Sequence, residues 1–178
     1  CPMAESAPRA AGPMTIHWLL ASAIFIALLS GFVTFNWSWR VPFSLRECLF
    51  AVHRLTGFFA GICALVWFAR FRFPQSRLPV ADRRDIWIRA FQFALVAMAT
   101  VLTGVAWIGR ALDGRWIELI SPLPAYNFVS RPDTPLAHAL MSVHGTLAYV
   151  MLAGLLIHAG SAGIHKLWDN LAKSPKNS

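Results

Sequence analysis

The stretch 136-LAHALMSVHGTLAYVMLAGLLIHAGSAGI-164 decides how this chain folds. It includes no Asp, Glu, Lys or Arg, and about 20 such residues are enough to cross the hydrocarbon core of a bilayer. His158 follows His144 by fourteen residues, which is about four turns of a helix. At ~100° and ~1.5 Å per residue, both imidazoles return to one helix face about 21 Å apart. The stretch therefore predicts a transmembrane helix with room on one face for two flat cofactors, one above the other.

The composition of the whole chain is that of an integral membrane protein. Of its 178 residues, 57% are hydrophobic and 13% charged, and the mean hydropathy is +0.53, whereas soluble domains average about 25% charged residues. We expect one membrane domain over 16–171, with tails over 1–15 and 172–178. The net charge of +8 does not indicate nucleic acid, because the basic residues lie mostly at the ends of apolar runs, next to lipid.

Three further apolar runs predict three further helices. Including the fourth, the predicted helices cover 16–35, 44–73, 90–109 and 134–171. Ser44 and Glu47 have the spacing of a capping box, and Thr134 precedes Pro135 as an N-cap precedes a proline at the first helical position. The predicted fold class is all-α, a transmembrane four-helix bundle.

The connection between helices 2 and 3 sets the orientation. The segment 70–89 contains six arginines, a density that is typical of the cytoplasmic side. Four helices return the chain to the side on which it began. Both termini are therefore predicted to be cytoplasmic.

Four histidines inside the predicted helices fall into two pairs by depth. His53 and His144 lie nine and ten residues after the predicted starts of their helices, so both are about 14 Å from the outer side. His17 lies twenty-two residues before Trp39, the predicted outer end of helix 1, and His158 lies twenty-four residues after the start of helix 4. These two are predicted to be level near the inner side.

Paired imidazoles inside a membrane indicate haem, because their nitrogens are good axial ligands for its iron. We interpret the pairs as ligands of two b-type haems, His53 with His144 outside and His17 with His158 inside. No Cys-x-x-Cys-His occurs in the chain, which excludes covalent attachment of haem. The alternative is that each histidine is a polar residue hydrogen-bonded between helices; the matched depths favour haem.

Two other histidines and four glycines are further candidates. His138 is turned ~240° from His144 around the helix, which favours an interfacial histidine. His165 returns to the face of His158, either as a hydrogen-bond donor to a substrate or a haem propionate or as a cation at the helix end. Small residues fit where a porphyrin edge passes a helix, and equally where helices pack closely: Gly57, Gly61, Gly145 and Gly154.

These motifs resemble the bacterial cytochrome b561 family over roughly 15–170. The matching pieces are Ile16-His17-Trp18, 52-VHRLTG-57, Thr103-Gly104, 144-HGTLAY-149, His158 and 165-HKLWDN-170. The two histidines of helix 4 and the ending after them are the most specific. One departure is helix 3, where the family often has histidines near the start and this chain has Arg89 and Gln92.

The resemblance implies a four-helix inner-membrane protein with two haem b groups, ligated at His17, His53, His144 and His158. It implies an oxidoreductase that takes single electrons from a periplasmic donor, superoxide, giving O2, and passes them to ubiquinone near the cytoplasmic face. The quinone-pocket histidine of the family corresponds to His165. Further candidates for that pocket are Arg72 and Arg77, and Arg54 is a candidate for pairing with a propionate or steering an anionic donor.

A second hypothesis is a haem b membrane-anchor subunit that passes electrons between a partner dehydrogenase or hydrogenase and quinone. Such subunits have similar histidines on four or five helices. The short outer loops offer little docking surface and argue mildly against it. A non-haem structural membrane protein is the third and weakest reading of the sequence.

Overall fold

Four long helices make up the regular structure of this chain. The computed structural model describes residues 13–70, 83–114 and 131–173, and within these ranges all regular structure is α-helical. The helices are α1 (Pro13–Asn36), α2 (Phe43–Arg70), α3 (Arg83–Leu112) and α4 (Thr134–Lys173). Each contains a segment long and apolar enough to cross a membrane: Met14–Asn36, Phe43–Ala69, Ile86–Leu112 and Thr134–Ser161. The predicted all-α class with four spanning helices is confirmed.

The chain divides into two compact units between Phe73 and Pro74. The first contains α1 and α2 packed against each other, and the second contains α3 and α4 packed against each other. We call these units hairpin 1 and hairpin 2.

Small residues bring the two helices of hairpin 1 together. The buried residues of α1 recur at helical spacing and include Leu20, Ala23, Ile24, Ser30, Gly31 and Thr34. The buried residues of α2 are all small: Ala60, Gly61, Cys63 and Ala64. Such residues allow close approach of helix backbones in a membrane. The buried hydroxyls are satisfied within α1, since Ser30 donates to the Ile26 carbonyl at 2.6 Å and Thr34 to the Ser30 carbonyl at 2.7 Å.

Hairpin 2 packs in an antiparallel register that its glycines reveal. A Cβ placed on Gly109 would lie 3.2 Å from Met141 Sδ, and one placed on Gly154 would lie 2.7 Å from Leu95 Cδ2. Residues near the end of α3 therefore contact residues near the start of α4, and residues in the first half of α3 contact residues in the middle of α4. Met151 is fully buried in this unit.

The end of α3 is tied to the start of α4. Gly114 has a φ of +71°, a left-handed conformation that favours glycine at a helix C-terminus, and its amide donates to the Ala111 carbonyl at 3.2 Å. The Asp133 amide donates to the Leu112 carbonyl at 2.9 Å. The chain thus leaves α3 and enters α4 at the same place.

Both predicted N-caps are displaced by one or two residues. The Leu136 amide donates to Asp133 Oδ1 at 3.1 Å and the Ala137 amide to the Asp133 carbonyl at 2.9 Å, so the cap of α4 is Asp133, and Thr134 is the first helical residue. At α2 the Arg46 amide donates to the Pro42 carbonyl at 3.0 Å. The helix therefore begins at Phe43 and the predicted cap, Ser44, lies inside it.

Helix α3 also begins seven residues before its predicted start at Ala90. The earlier turns contain Arg83, Arg84 and Asp85. Hydropathy marks where a helix meets lipid, but charged residues continue the same helix in the interfacial region, where polar side chains remain hydrated. The spanning part of α3 accordingly begins at Ile86.

The capping geometry predicts that Asp133→Ala destabilises the protein by about 1 kcal/mol, because one exposed amide of α4 loses its acceptor. Reversible unfolding in mixed micelles, followed by circular dichroism, measures this. Thr134→Ala is the matched control and should change the free energy of unfolding by less than about 0.5 kcal/mol. A larger effect of the Thr134 substitution would contradict the assignment.

Candidate functional site

The His53 side chain is fixed against the backbone of α1. It is half-buried, and its Nδ1 lies 2.7 Å from the Ala27 carbonyl oxygen. A carbonyl oxygen only accepts hydrogen bonds, so Nδ1 carries the proton and donates. In the neutral ring the other nitrogen, Nε2, is then unprotonated and has the lone pair, which is the form that ligates a metal.

Gly31 makes this position of the ring possible. A Cβ built on Gly31 would lie 2.7 Å from both Cε1 and Nδ1 of His53, so the imidazole rests on bare backbone. Phe35, one turn further along α1, meets the same ring edge-on, with centroids 6.3 Å apart. The imidazole of His53 is thus held by a hydrogen bond, a backbone surface and an aromatic edge.

Hairpin 2 repeats the arrangement at His144. This side chain is half-buried, and its Nδ1 donates to the Leu102 carbonyl of α3 at 3.0 Å. The tautomer is therefore the same as that of His53, with Nε2 as the unprotonated nitrogen that can ligate a metal.

The two histidines also occupy equivalent places in their hairpins. His53 lies ten residues after Phe43, the first residue of α2, and His144 lies ten residues after Thr134, the first residue of α4. This corresponds to about 15 Å along each helix. The helix starts found in the structure make the two counts equal, whereas the predicted starts put them at nine and ten.

His17 and His158 lie at the other ends of the spanning segments. His17 is exposed in the first turns of α1, edge-on to Trp18 with ring centroids 5.4 Å apart, and His158 is half-buried in α4. His17 precedes Ala27, the acceptor for His53, by ten residues, and His158 follows His144 by fourteen. These counts correspond to about 15 and 21 Å.

The predicted level of His17 is counted from Trp39, and α1 ends before that residue. Helix α1 ends at Asn36 rather than near Trp39, because the residues after it form a turn in which the Arg40 amide donates to the Trp37 carbonyl at 2.9 Å. His17 therefore lies nineteen residues from its helix end, while His158 lies twenty-four from the start of α4. Whether the two histidines are level across the hairpins stays a prediction.

Arg54, the residue after His53, has a buried polar atom in its side chain. The side chain is half-buried, and its Nε is buried with no hydrogen-bond partner among the described residues. Its guanidinium carbon lies 5.0 Å from the centre of the Phe50 ring. A buried N–H of this kind is rarely left without an acceptor, and a carboxylate is the natural one for a guanidinium.

The four glycines singled out in the sequence divide into two kinds. A Cβ on Gly57 or Gly145 would have nothing within 4 Å among the described residues, so both leave open space on the helix of a candidate ligand. Gly61 is buried and Gly154 lies against Leu95, which makes these two packing residues.

Each hairpin by itself therefore has features that fit one side of a haem group. Both combine an imidazole of fixed tautomer with a glycine that leaves open space on the same helix. Hairpin 1 adds the buried N–H of Arg54, which fits a haem propionate.

Other sequence candidates are placed only in part. His138 is exposed in the first turns of α4. His165 belongs to the helical backbone of α4, but its side chain lies outside the described residues, as do Arg72 and Arg77. Within each hairpin, the described His, Cys, Asp and Glu side chains form no group of three that could hold a single metal ion.

Gly31 contacts a candidate ligand, and the sequence patterns did not single it out. The glycines considered as candidates lie near histidines of their own helix, whereas Gly31 meets a histidine of the neighbouring helix. A signal was present: Gly31 follows His17 by fourteen residues, the spacing that separates His144 from His158. The acceptor carbonyls of Ala27 and Leu102 had no sequence signal, because every residue has one.

Comparison with known proteins identifies the family. A search of curated proteins found no significant match. The sequence model of the family described as "Prokaryotic cytochrome b561" matches residues 11–174, nearly the whole chain. The chain belongs to this family, and it is a membrane b-type cytochrome that transfers electrons.

Proposed function

We propose that this cytochrome takes single electrons from superoxide on the periplasmic side and delivers them to ubiquinone near the cytoplasmic side. In this proposal His53 and His144 ligate one haem b, and His17 and His158 ligate a second. One observation carries it: in both hairpins an imidazole ten residues into the second helix donates through Nδ1 to the facing helix, leaving Nε2 for iron.

The residues of the chain set where the cofactors lie and how they are held. Bound haem b supplies a reversible one-electron couple at its iron. Helix α4 contributes one ligand to each haem, so the spacing of His144 and His158 holds the two ligand nitrogens about 21 Å apart along the helix. Arg54 supplies a buried N–H for a propionate, and Gly57 and Gly145 leave space for the ring edges.

The overall reaction balances with superoxide as the donor. Two superoxide anions each lose one electron and become O2, while one ubiquinone takes up the two electrons and two protons and becomes ubiquinol. Arginines at the outer ends of the hairpins favour an anionic donor, among them Arg40, Arg46, Arg110 and Arg131. Acidic residues in the same outer segments reduce this steering.

For the acceptor we propose a site at the inner ends of the helices. His165 donates a hydrogen bond to the quinone carbonyl there, and Arg72 and Arg77 belong to the same inner rim. The support is the one-face spacing of seven residues between His158 and His165 and the quinone-linked histidine of the family.

Both hairpins are proposed to form one domain over 16–171 in the bacterial inner membrane, with both termini cytoplasmic. The support is the even number of spanning helices and the six arginines between α2 and α3.

Purified protein should contain two haems per chain. His53→Ala and His17→Ala should each reduce the ratio to one, because each removes one axial ligand from a different haem. Pyridine haemochrome absorbance divided by protein concentration measures the ratio. His138→Ala is the matched control and should retain two haems. A wild-type ratio of one would refute the two-pair assignment.

Arg54→Leu should lower the midpoint potential of one haem, because a nearby positive charge favours the reduced form. A redox titration followed at the haem absorption bands gives both potentials. Arg40→Leu is the matched control, since Arg40 is exposed, lies over Trp39 at 4.2 Å and belongs to the turn between α1 and α2, not to a helix that contains a candidate ligand. Equal potentials in wild type and Arg54→Leu would show that Arg54 is not near either haem.

The donor is tested with the single chain in ubiquinone-containing micelles. A superoxide source should reduce the haems, which is seen as the change of their absorption bands from the ferric to the ferrous form. It should also yield one ubiquinol for two superoxide anions. Superoxide dismutase should abolish haem reduction and ubiquinol formation. If superoxide is ineffective and the chain instead co-purifies with a dehydrogenase or hydrogenase that reduces it, the anchor-subunit function replaces this one.

A further inference from the structure

We propose that Gly31 is a positioning residue that sets the redox potential of the haem ligated by His53. Gly31 touches neither iron nor porphyrin in this proposal; it acts through the imidazole. The inference rests on the proposed function, because it requires His53 to be a haem ligand.

The contact leaves no space for a side chain at position 31. A Cβ there would lie 2.7 Å from two ring atoms of His53, closer than non-bonded carbon and nitrogen atoms approach. The imidazole is a rigid ring, and its Nδ1 bond to Ala27 and its edge-on contact with Phe35 hold it in place. An alanine at 31 therefore has to push the ring away from α1.

Moving the ring lengthens the hydrogen bond between His53 Nδ1 and the Ala27 carbonyl. An Nδ1–H donated to a carbonyl raises the basicity of the ligating nitrogen, which favours ferric over ferrous iron and lowers the potential. The acceptor is the main-chain carbonyl of Ala27, so no side-chain substitution can delete it. The residue at 31, about one turn further along α1, controls how closely the imidazole reaches it.

A buried hydroxyl competes for the same carbonyl. Ser30 Oγ lies 3.2 Å from the Ala27 oxygen, in addition to its 2.6 Å bond to the Ile26 oxygen. The partly positive hydrogens of two donors at one carbonyl oxygen repel each other, so each bond is weaker than it would be alone. Removing the hydroxyl should strengthen the bond from His53, which is the opposite of the effect expected from filling position 31.

Hairpin 2 provides a matched control for packing. Gly109 is also buried between two helices, and its added Cβ would meet Met141 Sδ at 3.2 Å and Leu140 Cβ at 3.4 Å. Neither neighbour is a candidate ligand. Gly109→Ala therefore disturbs a helix interface without touching an imidazole.

The experiment is a redox titration of haem-loaded Gly31→Ala, Gly109→Ala and wild-type protein, combined with electron paramagnetic resonance of the ferric haems. Gly31→Ala should raise one midpoint potential and shift the g-values of one low-spin signal. Gly109→Ala should leave both haems as in wild type. Unchanged potentials and g-values in Gly31→Ala would overturn the inference, as would equal shifts in both variants.

Ser30→Ala keeps the inference testable if Gly31→Ala does not fold. It removes one hydroxyl from a helix and adds no atoms, and it should lower the potential that Gly31→Ala raises. An unchanged potential in Ser30→Ala would then overturn the inference.

His53→Ala separates the two possible failures. Its remaining haem shows which potential belongs to the other site. If His53→Ala retains both haems, the proposed ligand is wrong. If it loses one haem while Gly31→Ala leaves the potentials unchanged, the positioning role alone is wrong.

Discussion

The hydrogen bond from an imidazole Nδ1 to a main-chain carbonyl of the facing helix links packing to chemistry in this protein. Each hairpin has such a bond, from His53 to Ala27 and from His144 to Leu102. In hydrocarbon an unsatisfied N–H is costly, so each bond removes a penalty and connects two helices. The same bond selects the tautomer that leaves Nε2 for iron. One interaction therefore serves both the hairpin and the proposed cofactor site.

Much of the fold follows from hydropathy, because crossing a bilayer requires long uncharged helices. The sequence therefore predicted all four helices and the histidines within them. It did not predict the helix ends, which depend on competition between neighbouring residues. Asp133 and Thr134 are both good N-cap residues. Asp133 is the cap in the structure, and its amide also donates to the Leu112 carbonyl. That contact joins two helices, so no local sequence pattern predicts it.

The site was predictable to the extent that it follows residue counts along single helices. Such counts found His53 and His144 at equivalent places in their helices. They could not find Gly31, whose contact with His53 depends on the register between α1 and α2. They also placed the end of α1 at Trp39, three residues too far along, because the length of α1 depends on the turn after Asn36. The pairing of ligands across the hairpins remains a prediction.

The bond between the Asp133 amide and the Leu112 carbonyl has a consequence for how this membrane protein can vary. It holds the end of α3 next to the start of α4, where Gly114 lies against Pro132. Closing a longer loop costs only about 0.6 kcal/mol for each doubling of its length. Insertions between Gly114 and Arg131 would therefore leave the register of α3 and α4 unchanged. New binding segments would arise at this end of the hairpin without altering the helices that hold the histidines.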